Sequence, residues 1–399
     1  MKIQKDKLII ILTVFIDVLG MGIIIPVLPF YVESFGVSSF VVTLLFSVFA
    51  LFSFVSGPFL GALSDRIGRR PVLILSIAST ALGWFVFAGA NAVWILFLGR
   101  IIDGAAAGNF PIAQSYLLDI AKDEKERTSS LGVIGAVFGI GFILGPFIGA
   151  ILGNISPAFP FWFVGALAFL NMIGAYFFLP ETHHDRTNSE EKIETNPFSP
   201  LIRAAKDESL RLRFFSFFLY GTAFALLNGI FSLFVKELFG MTATMIGYIF
   251  AGMGIILVFN QTVFLKNIWL KYFTEKQLEI WFFPIMAGSF LLMDFKNLTL
   301  FIIGIILVTF AQSTLRVVIS SAIARTGGAN RRGEVMGTMS SILSVSMIVG
   351  PLIGGALFVR NLHWPFLLSA VLLMMAFWLT KKCCGDEKIS QPENVEVLG

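Results

Sequence analysis

Charge is scarce in this sequence. Its 399 residues hold 29 Lys and Arg, 25 Asp and Glu and three His, so charged side chains make up 14% of the chain. A soluble domain carries about 25%, and this chain lacks the polar residues to cover a water-facing surface. Cysteine is scarcer still: Cys383 and Cys384 are the only two, adjacent and just past the last apolar run. Neighbouring cysteines rarely bridge, which excludes a disulfide framework. Palmitoylation of such a membrane-proximal pair is one reading; two incidental thiols is the simpler one. The three histidines, His183, His184 and His363, form no metal-ligand spacing within an apolar segment, and the His183–His184 pair reads as solvated linker. No paired carboxylates, nucleophile constellation or glycine-rich phosphate loop occurs. The expectations are therefore no enzyme activity, no metal, no cofactor and no nucleic-acid partner.

What is present is hydrophobic: 56% of residues, with 44 Phe and 37 Gly and a mean hydropathy of +0.85. A bilayer-crossing helix needs about 20 apolar residues. The apolar runs here, such as Leu8–Ile16 and Leu300–Phe310, lack the alternation of membrane β-strands. The pattern predicts an all-α membrane protein of twelve spans. They cover 8–31, 39–63, 71–90, 93–120, 128–153 and 160–180, then 213–235, 243–265, 278–293, 298–324, 334–358 and 364–380. The first run is too long for a signal peptide and carries Asp17, Pro26 and Pro29, so it reads as a retained span. The division is a six-helix bundle at 1–181, a linker at 182–212, a second bundle at 213–382 and a tail at 383–399.

Basic residues set the orientation. The tails and the loops on their side hold 24 Lys and Arg, the opposite loops only Lys236, Lys296 and Arg360. By the positive-inside rule both termini lie in the cytoplasm. The halves also repeat: Gly145-Pro146-Phe-Ile-Gly149-Ala150 recurs 205 residues later as Gly350-Pro351-Leu-Ile-Gly354-Gly355. Duplicated bundles around a midplane site, one rocking against the other, are a transporter architecture.

Four ionisable groups stand deepest in the spans: Asp17, Arg100, Asp103 and Arg316. Each costs about 2.5–3.5 kcal/mol at a helix centre on insertion scales, so each needs a reason. Asp17 is nine residues into span 1, about 14 Å at 1.5 Å per residue. Arg100 and Asp103 are spaced i,i+3 on one helical face and can pair. Desolvation favours a neutral carboxyl and a nearby arginine a charged one, an opposition that suits a proton site. Asp17 is therefore the candidate proton carrier, with Arg100–Asp103 as its partner. A structural ion pair beside a pore-lining acid is the alternative. Uncharged polar residues propose the wall of a cavity, foremost Gln114, Tyr116, Asn228, Gln261 and Gln312, with Arg316 either facing it or snorkelling toward the cytoplasm. Asn109-Phe-Pro111 marks a kink in span 4.

Two longer motifs complete the pattern. Between spans 2 and 3 stand Gly61, Leu63, Asp65, Arg66, Gly68, Arg69 and Arg70, whose charges can lock the halves together. In span 5, Gly135, Gly141, Gly145, Gly149 and Gly153 recur at helical spacing around Pro146. They make a smooth, bent seam suited to sliding between the halves. In these residues the chain resembles the major facilitator superfamily. The loop matches G-x-L-x-D-R-x-G-R-[KR] at every fixed position. Span 5 matches the antiporter motif G-x-x-x-G-P-x-x-G-[GA] at Gly141, Gly145, Pro146, Gly149 and Ala150. Span 4 carries the arginine signature at Leu98-Gly-Arg100-Ile-Ile-Asp103-Gly104. The opening of span 1 is similar to that of tetracycline/proton antiporters.

The resemblance implies the major facilitator fold, with two pseudo-symmetric six-helix bundles in a bacterial inner membrane. The implied activity is export of amphipathic small molecules, tetracycline-like or multidrug, in exchange for protons. The implied partners are the substrate, protons and lipid, with the monomer as the functional unit. A facilitator or proton-coupled carrier of a metabolite or organic anion is the alternative, and Arg100 with Arg316 would serve it. A membrane receptor would need a cytoplasmic output domain, for which the linker is too short.

Overall fold

Proline and glycine divide the helices before packing does. The computed structural model describes residues 5–182, 196–327 and 331–383; His183, His184, Cys384 and the tail beyond it lie outside the described residues. In the first half, span 1 is Lys5–Glu33, span 2 Ser39–Ile67, span 3 Arg69–Ala88, span 5 Glu124–Gly153 and span 6 Phe159–Phe178. Span 4 is two helices, Val93–Ala105 and Asn109–Asp119. Pro111 is the cause: its ring excludes a continuous helix through Ala107, but it is tolerated in the first turn of a new one. The expected kink is thus a full break, with Asn109 as the first residue after it.

A short helix, Ser199–Lys206, precedes the second half. Span 7 is Arg211–Phe239, ended by Gly240 in the left-handed conformation at φ +65°, where glycine carries no Cβ penalty. Span 8 runs from Ala243 to Phe259, continues as a π-helix over Asn260–Trp269 and ends in Leu270–Tyr272. Span 9 is Glu275–Met293, opened by a capping box in which Thr274 and Gln277 satisfy each other's backbone N–H groups. Spans 10, 11 and 12 are Leu298–Thr326, Arg332–Arg360 and Trp364–Cys383. Among the described residues, eleven helices are long and apolar enough to cross a membrane. Span 9 falls short because it begins with Glu275, Lys276, Gln277 and Glu279, yet its length matches and Phe282, Phe283, Met286 and Phe290 are buried against its neighbours.

An even number of crossings puts both ends of the chain on one side, here termed the terminal face. On the opposite face the two halves close on each other. Ser232 of span 7 donates to the carbonyl of Ile25 in span 1 at 2.8 Å, and Ser47 of span 2 to the carbonyl of Ile348 in span 11 at 2.8 Å. Lys236 pairs with Glu33, and Thr244 donates to Asn154 Oδ1 at 3.2 Å. Close backbone approach completes the seal: Gly247 of span 8 lies against Ala150 and the Pro146 carbonyl, and Gly355 of span 11 against Thr43. Toward the terminal face the spans separate. A Cβ added at Gly57 or Gly61 of span 2, Gly132 or Gly135 of span 5, or Gly337 of span 11 meets nothing within 4 Å. The molecule is sealed at one face and open at the other.

The short helix before span 7 touches both halves at the open side. Phe198 packs edge-on against Phe54 of span 2 at 5.4 Å, while Arg331 pairs with Asp207 at 2.8 Å and Arg203 stands 3.8 Å from Glu334. Hydrogen bonds from Ser209 and then from Arg331 hold the Asp207 carboxyl below its ordinary value. The contact therefore persists above the usual carboxylate range and is lost only as pH falls through that lowered value.

Candidate functional site

Asp17 sits on span 1 between the buried Ile16 and Val18 and remains partly exposed. It is twelve residues from Lys5, about 18 Å at 1.5 Å per residue. Its carboxylate accepts a hydrogen bond from Asn109 Nδ2 at 2.9 Å, and the same nitrogen donates to Thr80 Oγ1 on span 3 at 3.0 Å. The break in span 4 is what turns Asn109 toward both partners. Asp103, in the first helix of span 4, binds Arg100 Nη2 at 2.8 Å. Of the three expected proton-coupling residues, Arg100 and Asp103 therefore form one pair, while Asp17 is joined through Asn109 to Thr80. Asn109 and Thr80 were missed as functional residues by the sequence reading. Deep-lying charge was its signal, and neither residue is charged.

Arg100 and Asp103 are buried, with side chains 5% and 8% exposed. The guanidinium lies 4.4 Å from the Trp84 ring centre, 5.1 Å from Phe49 and 5.2 Å from Phe87. Aromatic faces attract such a cation, and here they enclose it between spans 2 and 3. Arg100 is thus turned into the first bundle, away from any ligand between the halves. Its suggested pairing with Arg316 on an anionic substrate does not fit this placement. Arg316 itself is exposed, and its guanidinium lies 5.9 Å from the ring centre of Phe138 on span 5 of the other half. It faces the gap between the bundles.

Among the expected cavity residues, Gln114, Asn228 and Gln312 are partly exposed on spans 4, 7 and 10, and Gln261 is exposed on span 8. Tyr116 is a correction. It is fully buried, and its hydroxyl donates to the carbonyl of Pro180 at 2.8 Å, so it ties span 4 to the chain after span 6. A side chain's direction around a helix that restarts at Asn109 could not be phased from the apolar pattern upstream. Asn260, at the start of the π-helical stretch, is also committed internally. It donates to Ser313 at 2.6 Å and Thr314 at 2.9 Å and accepts from the Trp269 indole at 2.9 Å. Glu279 of span 9 was overlooked: its side chain is 3% exposed and stands 3.8 Å from Arg213. Its place near a span edge disguised it as a loop charge.

The loop between spans 2 and 3 makes its contacts within the first half. Asp65 pairs with Arg69 at 2.6 Å, and Arg69 Nε with Asp119 of span 4 at 3.2 Å. The backbone N–H groups of Arg69 and Arg70 donate to the Glu181 carboxylate at 2.9 and 3.2 Å, and Arg70 Nη2 donates to the Tyr176 carbonyl at 2.7 Å. Arg66 is exposed. Among the described residues these contacts stay within the first half, and the expected lock between halves is not among them. Gly68, at φ +109°, holds the position where a Cβ would strike the Glu181 carboxylate. Gly68→Ala should therefore cost about 1–3 kcal/mol from backbone strain alone, read as a lower Tm in detergent. Gly61→Ala, where no neighbour lies within 4 Å, is the control expected to leave Tm near the native value.

The antiporter-motif glycines are a second correction. Gly141, Gly145 and Gly149 do not lie between the halves; they pack on Val18, on Gly22 with the Leu19 carbonyl, and on Ile23 of span 1. Their spacing gave a smooth face but not its partner. The opposite side of the same helix, at Ile143, the Pro146 carbonyl and Ala150, meets Gly254 and Gly247 of span 8. The second half repeats this: Gly350 and Gly354 pack on Ala225 and Leu226 of span 7, and Gly355 turns to span 2.

Two pseudo-equivalent bundles, sealed at one face and separated at the other around a few polar side chains, define a membrane transporter. The chain belongs to the Major Facilitator Superfamily, whose model matches residues 10–276 and 213–383. Among its relatives, the class E tetracycline resistance protein of Escherichia coli is 31% identical over 357 residues, 88% of this chain and 87% of the relative. Multidrug resistance protein 2 of Bacillus subtilis is 28% identical over 384 residues, 94% and 95% of the two chains. A solved structure of the nucleoside transporter NupG superposes with a TM-score of 0.77 over 96% of this chain and 99% of that one. At 14% identity that match speaks for the fold alone.

Proposed function

We propose that this protein exports amphipathic small molecules, tetracycline-like or multidrug, in exchange for protons, by alternating access with the terminal face in the cytoplasm. The observation that carries the reading is Asp17: a partly exposed carboxylate deep in span 1, hydrogen-bonded to Asn109, which also bonds Thr80 of span 3. A carboxylate so placed can take a proton from one side and release it to the other as the halves rock. The names of the tetracycline and multidrug relatives support the substrate class. The excess of basic residues on the terminal face supports the orientation. Expression in a drug-sensitive host should raise resistance to tetracyclines or to a panel of amphipathic drugs. In proteoliposomes an imposed pH gradient should drive uphill movement of the same compounds. Resistance unchanged across the panel, with no gradient-driven transport, would reject the reading.

A second reading rests on Arg316, exposed toward the other half. If the cavity takes an organic anion, Arg316→Ala should weaken binding of anionic compounds about 10-fold or more, the scale of one charge-assisted hydrogen bond of about 1.5–3 kcal/mol. Neutral and cationic ligands should be affected far less. Equal loss for all ligands, by fluorescence or thermal-shift titration, would remove the anion reading.

A further inference from the structure

A groove runs down the outer side of the second bundle. Span 12 packs on spans 7 and 9, and between them lies a hollow of about 580 Å³. Its floor holds the buried Ala370 and Leu379, and its walls Phe215 of span 7, Leu291 of span 9, and Met374 and Trp378 of span 12. No charged or hydroxyl side chain lines it. From Leu367 to Leu379 it follows twelve residues of span 12, about 18 Å at 1.5 Å per residue. That exceeds half of a hydrocarbon core of about 30 Å, so one acyl chain fits along it. Leu367, Val371, Met374 and Trp378 are exposed along its length.

The two ends of the groove differ in charge. Ser216 of span 7 bonds both the Ala376 carbonyl and the Thr380 hydroxyl of span 12, each at 3.2 Å. That register puts Arg211 level with Lys382 at the terminal face. Arg211 stands one turn from Phe215 on the same helical face, and the Lys382 ammonium lies 5.4 Å from the Trp378 ring centre. Both cations therefore stand over the end of the groove, with Lys381 exposed beside them. Elsewhere at this face Lys7, Arg69, Arg325 and Arg331 are matched by carboxylates. Among the described residues Arg211, Lys381 and Lys382 enter no ion pair. At the far end, His363 and Asp294 stand one turn beyond Leu367 and Leu291 and bond each other at 2.7 Å.

We propose that this groove binds an anionic phospholipid of the leaflet at the terminal face. One acyl chain lies along span 12, and the phosphate is held by Arg211 and Lys382. The chain by itself gives no selectivity, because bulk lipid tails are as apolar as the groove. The cations supply it, since basic clusters at the ends of spans attract anionic headgroups. Charge at one end and a satisfied polar pair at the other allow one orientation only. The site lies on the back of the second bundle and requires nothing of the transported substrate.

The full chain in detergent is titrated with phosphatidylglycerol or with phosphatidylcholine of the same acyl chains, read by Tm and by native mass spectrometry of retained lipid. Phosphatidylglycerol is expected to raise Tm and to be retained, with phosphatidylcholine about 10-fold weaker. Arg211→Gln with Lys382→Gln should weaken phosphatidylglycerol about 10-fold or more, the scale of two cations acting on an anionic headgroup. Lys266→Gln with Lys271→Gln, exposed cations near the terminal-face end of span 8, should keep the native preference. Ala370→Phe fills the floor of the groove and should abolish retention with the cations intact. Its Tm without lipid reports its folding, and the exposed Arg211 and Lys382 variant keeps the test decisive if it misfolds. Equal binding of the two lipids, or an equal loss from the span 8 variant, overturns the headgroup site. Undiminished retention in folded Ala370→Phe overturns the groove. A two-chain species that Ala370→Phe removes would put a second copy in the groove and overturn the lipid.

Discussion

Asp17→Asn is expected to abolish uphill transport driven by a pH gradient while substrate counterflow continues. The amide is nearly isosteric but cannot gain or lose a proton between pH 5 and 9, so the cycle can still exchange substrate for substrate but has no second ion to couple. The geometry makes the expectation specific. Asp17 is partly exposed, whereas Asp103 is buried against Arg100. Replacing Asp103 instead would strand a buried guanidinium, a loss of about 3–5 kcal/mol from breaking a buried pair. That variant should fail in expression or Tm before coupling can be measured. Asp17→Glu, which retains the titrating group, should restore part of the gradient-driven flux. Accumulation by Asp17→Asn at the native rate would remove Asp17 from the coupling step.

The second large effect is expected at the seal of the opposite face. Gly247 lies against Ala150 and the Pro146 carbonyl, with no room for a side chain. Gly247→Leu should prevent spans 5 and 8 from closing there. Overpacking costs about 1–3 kcal/mol, and a bias of that size moves a two-state population about 5- to 150-fold. The displaced state is one in which the opposite face has opened. Spin labels at Ile155 and Met245, both exposed near that face, should report a longer distance in Gly247→Leu, and substrate flux should fall accordingly. Gly252→Ala on the same span, where a Cβ meets nothing within 4 Å, should keep the native distance. An unchanged distance in Gly247→Leu would show that the seal is not made by backbone approach at this point.

The legibility of these features in the sequence follows from what each depends on. Length and continuity of apolar runs are local properties, and they gave the spans to within a few residues, except the end of span 8, which runs on to Tyr272. Span 9 shows the limit: its first five residues hold two acids and a lysine, so composition places it at the border, while burial of Phe282, Phe283 and Phe290 makes it part of the bundle. The deep charges were visible because charge in a span is costly. Glu279 escaped because it sits within a turn of the polar helix start. Tyr116, Asn109 and Thr80 escaped for a different reason. Each is a neutral polar residue, and the helical pattern does not tell whether such a residue faces a cavity, a backbone carbonyl or a neighbouring side chain.

Scarce charge and abundant apolar residues, read from the sequence by itself, determined that this chain is a helical membrane protein, and its repeated motifs determined two equivalent bundles. Transfer free energy and motif spacing act along one chain and need no partner to be read. Tertiary structure alone decided which face is sealed and which is open, because that depends on helices ninety or more residues apart in sequence. It also decided that the span 5 glycines serve span 1 while the span 8 glycines serve the seam, since a small-residue face names no partner. And it alone joined Asp17 to Asn109 and Thr80, because hydrogen bonds are set by distances of about 3 Å that only the packing of spans 1, 3 and 4 brings about.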